Sequence, residues 1–293
     1  MLKRVLLTLM IICAPLDARA AIVVASKIDT EGSLLGNMIL LLLQHHGIAA
    51  TGRLQLGPTQ IVRQALIAGE IDLYPEYTGN GAFFFHQESD PVWRDAAHGF
   101  ERVRSLDARN GLVWLAPSPA NNTWAIVVRR DLKLETLDEF AHFVADGGRV
   151  RLAASAEFVN SPGGLPSFER TYDFRLTSRQ LLTLAGGNTA ATTRAAAERI
   201  SCVNAAMAYG TDGAISVLGL VALRDDRGAQ IVYRPAPVVR EAVLKAHPDL
   251  PAILDPVFGT LTLPTLQTLN ARIAIEGLDA RAVAARYLET LAK

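Results

Sequence analysis

The order of apolar and helical segments near the start of the chain constrains its fold more than any other sequence feature. Residues 21–25 and 52–56 have the composition of short strands, and residues 33–46 and 60–68 carry apolar side chains at helical spacing. A third strand begins at Ile71. Because parallel strands need a long crossover connection, this order predicts an α/β fold with a parallel sheet and helices on both faces. Ligands of such sheets bind at the carboxyl ends of the strands.

The third predicted strand leads into a turn that suits a binding pocket. It alternates apolar and polar residues as far as Tyr74, and we expect it to stop at Pro75, because proline restricts its own φ and disfavours a helical residue before it. Gly79 and Gly81 follow, and glycine lets the backbone approach a ligand closely. Tyr77 lies between these features. The stretch therefore predicts a ligand pocket, with a surface turn and ordinary core tyrosines as the alternative.

The remainder of the chain predicts a second α/β unit and a return to the first. Strands are expected at residues 113–115, 125–129, 150–154, 180–184, 205–209 and 231–233, and helices at residues 90–111, 136–144, 189–199, 240–247, 265–273 and 279–291. This pattern predicts two lobes with a ligand cleft between them. The chain is expected to cross between lobes near Trp124 and again within residues 225–233. Residues 21–124 and 230–293 then form lobe 1, and residues 125–229 form lobe 2.

Charge and cysteine content exclude several classes of function. The chain has 29 Lys plus Arg and 29 Asp plus Glu, and this balance gives no electrostatic footprint for nucleic acid. Of two cysteines, Cys13 falls in the N-terminal segment, so Cys202 has no partner for an internal disulfide. We expect Cys202 to be buried and inert.

The N-terminus has the features of a secretory signal peptide. Lys3 and Arg4 form a basic region, residues 5–15 are apolar, and residues 18–20 read Ala-Arg-Ala, a small-x-small cleavage site. Residues 1–20 are therefore predicted to be a signal peptide, cleaved near Ala20 to release a soluble protein into the periplasm.

Five motifs, in order along the chain, resemble one protein family. They are S-K-I-D-T-E at 26–31, D-L-Y-P-E-Y-T-G-N at 72–80, N-N-T-W-A at 121–125, Y-G-T-D at 209–212 and Y-R-P-A-P-V-V-R at 233–240. They resemble motifs in the substrate-binding proteins of osmoprotectant ABC importers, which bind glycine betaine, choline, carnitine and related quaternary amines. OsmF-like periplasmic glycine betaine-binding proteins are the most similar subgroup. The resemblance implies the two-lobed, type II periplasmic-binding-protein (Venus-flytrap) fold, which closes around its ligand.

The resemblance also implies an aromatic cage for the quaternary ammonium group. The positions that match the cage are Tyr77, Trp124, Tyr209 and Tyr233. Aromatic faces suit such a group because their quadrupoles attract cations and the rings cover its methyl groups. Core or hydrogen-bonded aromatic residues are the alternative interpretation of these four positions. Thr211, in the Y-G-T-D motif, is assigned to the same site.

Family members hold the carboxylate end of the ligand with a Lys, a Thr and an Arg. Lys27 matches the Lys, Asn80 stands in place of the Thr, and Ser161 stands where the Arg is expected. Since a bidentate Arg–carboxylate pair is among the stronger polar contacts, its loss should weaken the binding of zwitterions. Either glycine betaine binds weakly, or the ligand has no carboxylate at that place. Lys27 has a second interpretation as a solvated turn lysine.

The resemblance implies a receptor that makes and breaks no bond and needs no cofactor or metal. Its partners are a small quaternary amine and the permease and ATPase of an ABC importer, and it is expected to be a monomer that binds no nucleic acid. A receptor for another cationic or zwitterionic solute is one alternative. An exported hydrolase that uses Glu76 or Asp212 is the other.

Overall fold

The computed structural model describes residues 21–184 and 189–291. The predicted signal peptide, residues 1–20, lies outside the described residues. Within the described ranges the strands form two five-stranded sheets.

The first sheet has the strand order β2-β1-β3-β10-β4. Its strands are β1 (Ile22–Lys27), β2 (Ala50–Gly57), β3 (Leu73–Tyr77), β4 (Leu112–Trp114) and β10 (Pro235–Arg240). The second sheet has the order β7-β6-β8-β5-β9. Its strands are β5 (Trp124–Arg129), β6 (Leu152–Ser155), β7 (Leu181–Leu184), β8 (Ala205–Tyr209) and β9 (Leu220–Ala222).

Helices surround both sheets. They are α1 (Thr30–His45), α2 (Thr59–Ala68), α3 (Asn80–Phe84), α4 (Ala96–Ala108), α5 (Leu137–Ala145), α6 (Ala156–Asn160), α7 (Leu165–Tyr172), α8 (Thr189–Ala197), α9 (Ala214–Val217), α10 (Glu241–Ala246), α11 (Leu250–Gly259), α12 (Leu263–Ala274) and α13 (Ala280–Leu291). Short 3₁₀ turns lie at Pro91–Arg94, Arg130–Leu132, Ser178–Gln180 and Ile200–Cys202. No helix within the described ranges has the length and apolar character needed to cross a membrane.

Each sheet is buried on both faces, because alternate residues of its strands enter different apolar clusters. In the first sheet, Val24 packs with α1 and the C-terminal helices, whereas its neighbour Ala25 packs with α2 and Trp93. In the second sheet, Ile126 and Val127 divide in the same way between two further clusters. Since strand side chains alternate between faces, this division gives helix–sheet–helix layering in both units. The predicted two-lobed α/β architecture is confirmed.

The sheets are mixed, although the sequence predicted a parallel sheet. Strands β1, β2 and β3 are parallel, but β10 runs antiparallel to both β3 and β4. In the second sheet, β5 runs antiparallel to β8 and β9. Strand β10 joins the first sheet only after the chain has formed the second, and β5 is the first strand of the second sheet, so a local β-α-β pattern could not predict their direction.

Strand β3 continues through Pro75, where it was expected to stop. Pro75 lies opposite Pro237 of β10. Thr78 donates its backbone N–H to the Arg234 carbonyl at 3.0 Å, so these two residues form a hydrogen-bonded pair. Hydrogen-bonded and non-hydrogen-bonded pairs alternate along an antiparallel ladder, which makes Pro75 and Pro237 a non-hydrogen-bonded pair. Neither proline therefore has to donate an N–H to the other strand of this pair, and the β3–β10 ladder is kept.

The predicted strand at residues 231–233 is wrong, since that segment is irregular and the strand begins at Pro235. The predicted helix after Thr136 is confirmed as α5. Thr136 accepts from the Glu139 N–H at 3.1 Å while the Glu139 carboxylate accepts from the Thr136 N–H at 3.1 Å. This reciprocal capping box stabilises the start of the helix.

Candidate functional site

One cavity of about 1140 Å³ lies where the carboxyl ends of strands from both sheets meet. It is lined by all eight residues assigned to the site from the sequence: Lys27, Tyr77, Asn80, Trp124, Ser161, Tyr209, Thr211 and Tyr233. Sites that bury small ligands span roughly 300–1,000 Å³, so the cavity has room for a small organic molecule with water. The structure therefore brings the predicted residues together. Their roles remain predictions.

Trp124 and Tyr209 form one wall of this cavity. They lie directly opposite each other on the antiparallel strands β5 and β8. The adjacent pair is hydrogen-bonded, because Gly210 donates its N–H to the Thr123 carbonyl at 2.9 Å. Trp124 and Tyr209 therefore occupy a non-hydrogen-bonded position, where opposed side chains come closest. The Trp124 ring is held edge-on against Phe158, with the ring centroids 5.7 Å apart.

Tyr233 approaches from the irregular segment before β10. Its backbone N–H donates to the Asn121 side-chain oxygen at 2.8 Å. A Cβ on Gly79 would lie 2.8 Å from Cδ1 of Tyr233, so glycine at that position permits the close approach of the ring. Burial, followed by the nearby Tyr209 and Glu76, raises the pKa of Tyr233. The Tyr233 ring is half-buried, and contacts between cations and aromatic faces strengthen as they lose solvent.

Tyr77 forms another wall, and a cation already lies over its ring. The Nζ of Lys27 lies 4.3 Å from the Tyr77 ring centroid. Strands β1 and β3 both pair in parallel within the first sheet and end at Lys27 and Tyr77, which explains why the two residues meet. Both residues line the cavity.

The two residues assigned to the ligand's carboxylate both contact Glu76. This carboxylate is fully buried and forms an ion pair with Lys27. Its Oε1 also accepts from the Asn80 side-chain amide at 2.7 Å, and its Oε2 accepts from the Tyr74 hydroxyl at 2.7 Å. Lys27 is 5% exposed, so its interpretation as a solvated turn lysine is wrong.

A second buried carboxylate, Glu31, connects distant parts of the chain. Its Oε1 accepts from the Tyr77 hydroxyl at 2.7 Å and from the Asn122 amide at 3.2 Å. Its Oε2 accepts from the Asn270 amide at 2.7 Å, and the same Asn270 nitrogen donates to the Thr211 carbonyl at 2.9 Å. Burial raises the pKa of Glu31, although its hydrogen bonds oppose the shift. Glu31 therefore fixes the Tyr77 hydroxyl and joins it to α12.

Thr211 and Ser161 both line the cavity. Thr211 is 2% exposed and is held through its carbonyl by Asn270. Ser161 follows α6, where its N–H donates to the Glu157 carbonyl at 2.8 Å and its carbonyl accepts from Gly164 at 2.9 Å. No arginine stands at this turn.

The structure also shows the surroundings of the residues that the sequence offered for catalysis, thiol chemistry or metal binding. Asp212 accepts from the Tyr209 N–H at 2.9 Å and so orders the turn after β8. Glu76 is committed to Lys27, Asn80 and Tyr74. Cys202 is exposed rather than buried, because it lies in an exposed 3₁₀ turn with φ +63°. Within residues 21–184 and 189–291, no group of His, Cys, Asp and Glu is placed to hold a metal ion.

Comparison with known families identifies the chain. The profile of the substrate-binding domain of ABC-type glycine betaine transport systems matches residues 20–290. The chain belongs to this family. Its relatives are substrate-binding transport proteins, so the prediction that it is not an enzyme is confirmed and the hydrolase alternative is set aside.

Two characterised relatives span nearly the whole chain. The glycine betaine-binding protein YehZ of Escherichia coli is 53% identical over 289 residues, covering 97% of this chain and 95% of the relative. A glycine-betaine-binding protein of Pseudomonas aeruginosa is 30% identical over 304 residues, covering 98% of this chain and 94% of the relative.

Solved structures agree with the fold. Apo YehZ from Escherichia coli superposes with a TM-score of 0.87 at 54% identity, covering 92% of this chain and 98% of that one. The lactococcal protein OpuAC, in a closed conformation with glycine betaine, superposes with a TM-score of 0.54 at 12% identity and covers 92% of this chain and 94% of its own. At that identity the second likeness supports the fold alone.

Proposed function

We propose that this chain is the receptor of an ABC importer and binds a quaternary amine in an aromatic cage formed by Tyr77, Trp124, Tyr209 and Tyr233. The observation that carries the proposal is the direct opposition of Trp124 and Tyr209 across β5 and β8, in a cavity that both other rings also line. Family membership supports the ligand class, since the names of relatives specify glycine betaine and carnitine.

A cage of aromatic faces suits a ligand that cannot donate an N–H hydrogen bond and keeps its charge at every pH. Each cation–π contact contributes roughly 0.5–2 kcal/mol, depending on how far it is desolvated. Several such contacts approach the free energy of about −8 kcal/mol that corresponds to micromolar binding, before the costs of ordering and closure. At the upper end of this range, four such contacts supply most of the free energy of micromolar binding before those costs.

The lobes are proposed to divide as the sequence predicted, with residues 21–124 and 230–293 in lobe 1 and residues 125–229 in lobe 2. The strand membership of the sheets supports this division, since the second sheet takes its strands from the stretch between Trp124 and Ala222. Ligand binding between lobes shifts them toward a closed form only if that form binds the ligand more tightly. The aromatic rings come from both proposed lobes, which supplies that difference.

The chain is proposed to act outside the cytoplasm, after cleavage of residues 1–20, as a monomer. In this family the receptor presents its ligand to a membrane permease, and the ATPase of the importer drives uptake. The apolar and basic pattern of the N-terminal segment supports export.

Isothermal titration tests this function. Mature protein should be unfolded, stripped of ligand, refolded and titrated with glycine betaine, choline, carnitine, proline and acetate. Saturable binding of at least one quaternary amine, with proline and acetate silent, is the expected result. Absence of binding by all three quaternary amines would overturn the cage. An NMR spectrum of the ligand after incubation should be unchanged, since a receptor returns its ligand intact.

A further inference from the structure

Three cationic side chains line the cavity, and the one beside the cage is already neutralised. Lys27 forms an ion pair with Glu76, and the two side chains are only 7% and 0% exposed. Its ammonium also lies over the Tyr77 ring. Arg94 and Arg170 are exposed and also line the cavity. Arg170 donates to the Pro162 carbonyl at 3.0 Å. Lys27 therefore offers a carboxylate in the cage no uncompensated charge.

Exposed acidic side chains also line the cavity. Burial and then the charges of Glu157, Asp212 and Asp29 raise the pKa of Tyr209, while a contact with Trp124 lowers it. Glu157 and Asp29 are exposed and line the cavity. Among the described residues, neither has a lysine or arginine within ion-pair distance. Their field favours a ligand with a net positive charge and opposes an added carboxylate.

An uncharged polar group next to this wall lacks a hydrogen-bond partner. Thr123 precedes Trp124, lines the cavity and is 9% exposed. Its Oγ1 is buried and has no hydrogen-bond partner among the described residues. A buried hydroxyl without a partner costs free energy, so it gains from a ligand that supplies one. A hydroxyl group on the ligand can both donate to this oxygen and accept from it.

From these observations we infer that the cage selects a quaternary ammonium alcohol of the choline class over a zwitterion such as glycine betaine. The inference rests on the proposed function, because it concerns the same four aromatic walls. Lys27, balanced by Glu76, adds no net charge for a carboxylate, and Glu157 and Asp29 repel one. Thr123 supplies the partner for the alcohol. Glu157 and Thr123 are thus specificity-determining residues.

The decisive measurement is a titration of ligand-stripped mature protein with choline, glycine betaine and tetramethylammonium at fixed ionic strength. Choline should bind at least about tenfold more tightly than glycine betaine, because placing like charges side by side is strongly unfavourable. Glycine betaine is the most informative ligand to compare with choline, because the relative that is 53% identical to this chain is named a glycine betaine-binding protein. Equal or tighter binding of glycine betaine would overturn this inference and leave the cage intact. Absence of binding by all three ligands would overturn both this inference and the proposed aromatic cage.

Two variants separate charge from hydroxyl recognition. Glu157→Gln should strengthen glycine betaine binding several-fold and narrow its gap to choline. Glu289→Gln, an exposed glutamate on α13 outside the cavity, is the matched control and should leave the ratio unchanged. Thr123→Val should weaken choline but not tetramethylammonium, and Thr123→Ser should restore choline. An unchanged choline-to-betaine ratio in Glu157→Gln would refute the electrostatic part, and equal losses for choline and tetramethylammonium in Thr123→Val would refute the hydroxyl contact.

Discussion

Lys27 and Glu76 form a buried ion pair at the floor of the cavity, with the Lys27 ammonium also 4.3 Å from the centroid of the Tyr77 ring. Resemblance to the family assigns Lys27 to the ligand's carboxylate. The geometry indicates a structural role for Lys27, because Glu76 balances its charge and the Tyr77 ring covers its ammonium group. The pair therefore positions one wall of the cage, and its removal should affect stability more than ligand selectivity.

The double variant Lys27→Met with Glu76→Gln tests this role. The ratio of choline to glycine betaine affinity should stay within about threefold of the parent, because no net charge is removed. Lys27→Met alone should lower the free energy of unfolding by about 3–5 kcal/mol, since it leaves a buried carboxylate uncompensated. Titration and urea unfolding measure the two effects. A selective loss of glycine betaine in the double variant would instead make Lys27 a carboxylate anchor.

An exposed ion pair provides the control for that experiment. Lys245 and Glu241 lie one helical turn apart on α10, with Nζ and Oε1 2.8 Å apart and side chains 72% and 52% exposed. Replacing them in the same way should change the free energy of unfolding by less than about 0.5 kcal/mol, because solvent screens the pair.

The aromatic wall itself is tested by Trp124→Ala and Tyr209→Ala. Each should weaken the binding of the preferred quaternary amine by roughly 0.5–2 kcal/mol, or about twofold to thirtyfold in Kd. Because the two rings are in neighbouring positions, the double variant should deviate from additivity. Trp124→Tyr keeps an aromatic face and should retain most of the affinity. Parental affinity in both alanine variants, measured by titration, would show that these rings are core residues rather than a cage.

The fold was largely predictable where local pattern decides it. Apolar residues at helical spacing predicted α1, and the helix predicted at residues 136–144 matches α5. Strand β10 was missed because Pro235 and Pro237 argue against a strand, and only pairing with β3 places them at positions that need no N–H toward it. The same long-range pairing carries β3 through Pro75. Whether a strand tolerates a proline therefore depends on how it pairs with its partner strand, and the local sequence does not show that pairing.

In the candidate site, too, local motifs predicted some residues, whereas contacts between distant parts of the chain determine the others. Its aromatic residues sit in motifs that the sequence displays, and the structure gathers all of them at one cavity. The residues that hold them in place were missed. Glu31 lies within the first motif, but nothing local indicates that its carboxylate would be buried. Asn270 reaches Glu31 and Thr211 from α12, far along the chain, and no sequence pattern marks it.

Glu31 gives the stability of the protein a distinctive pH dependence. Its pKa is raised above the ordinary value of 4.5, chiefly by burial, so the folded state binds its proton more tightly than the unfolded state does. Its contribution to stability is therefore present below that ordinary value and is lost as pH rises through the folded pKa. The stability advantage of the parent over Glu31→Gln, measured by urea unfolding, should be larger at about pH 5 than at about pH 8. An advantage that grows with pH would show that hydrogen bonds to the carboxylate outweigh its burial.

Gly213 sets how closely the turn after β8 docks on α12. A Cβ at this position would lie 2.2 Å from the Ala271 backbone nitrogen, and backbone cannot move aside as a side chain can. Gly213→Ala should therefore push the turn, with Tyr209 and Thr211, away from α12 and separate the proposed lobes. Small-angle X-ray scattering should show a larger radius of gyration, and the affinity for the preferred amine should fall. Gly259→Ala on α11, where a Cβ meets no atom within 4 Å, should leave both unchanged. A Gly213→Ala protein with parental scattering and affinity would show that this contact does not control the cleft.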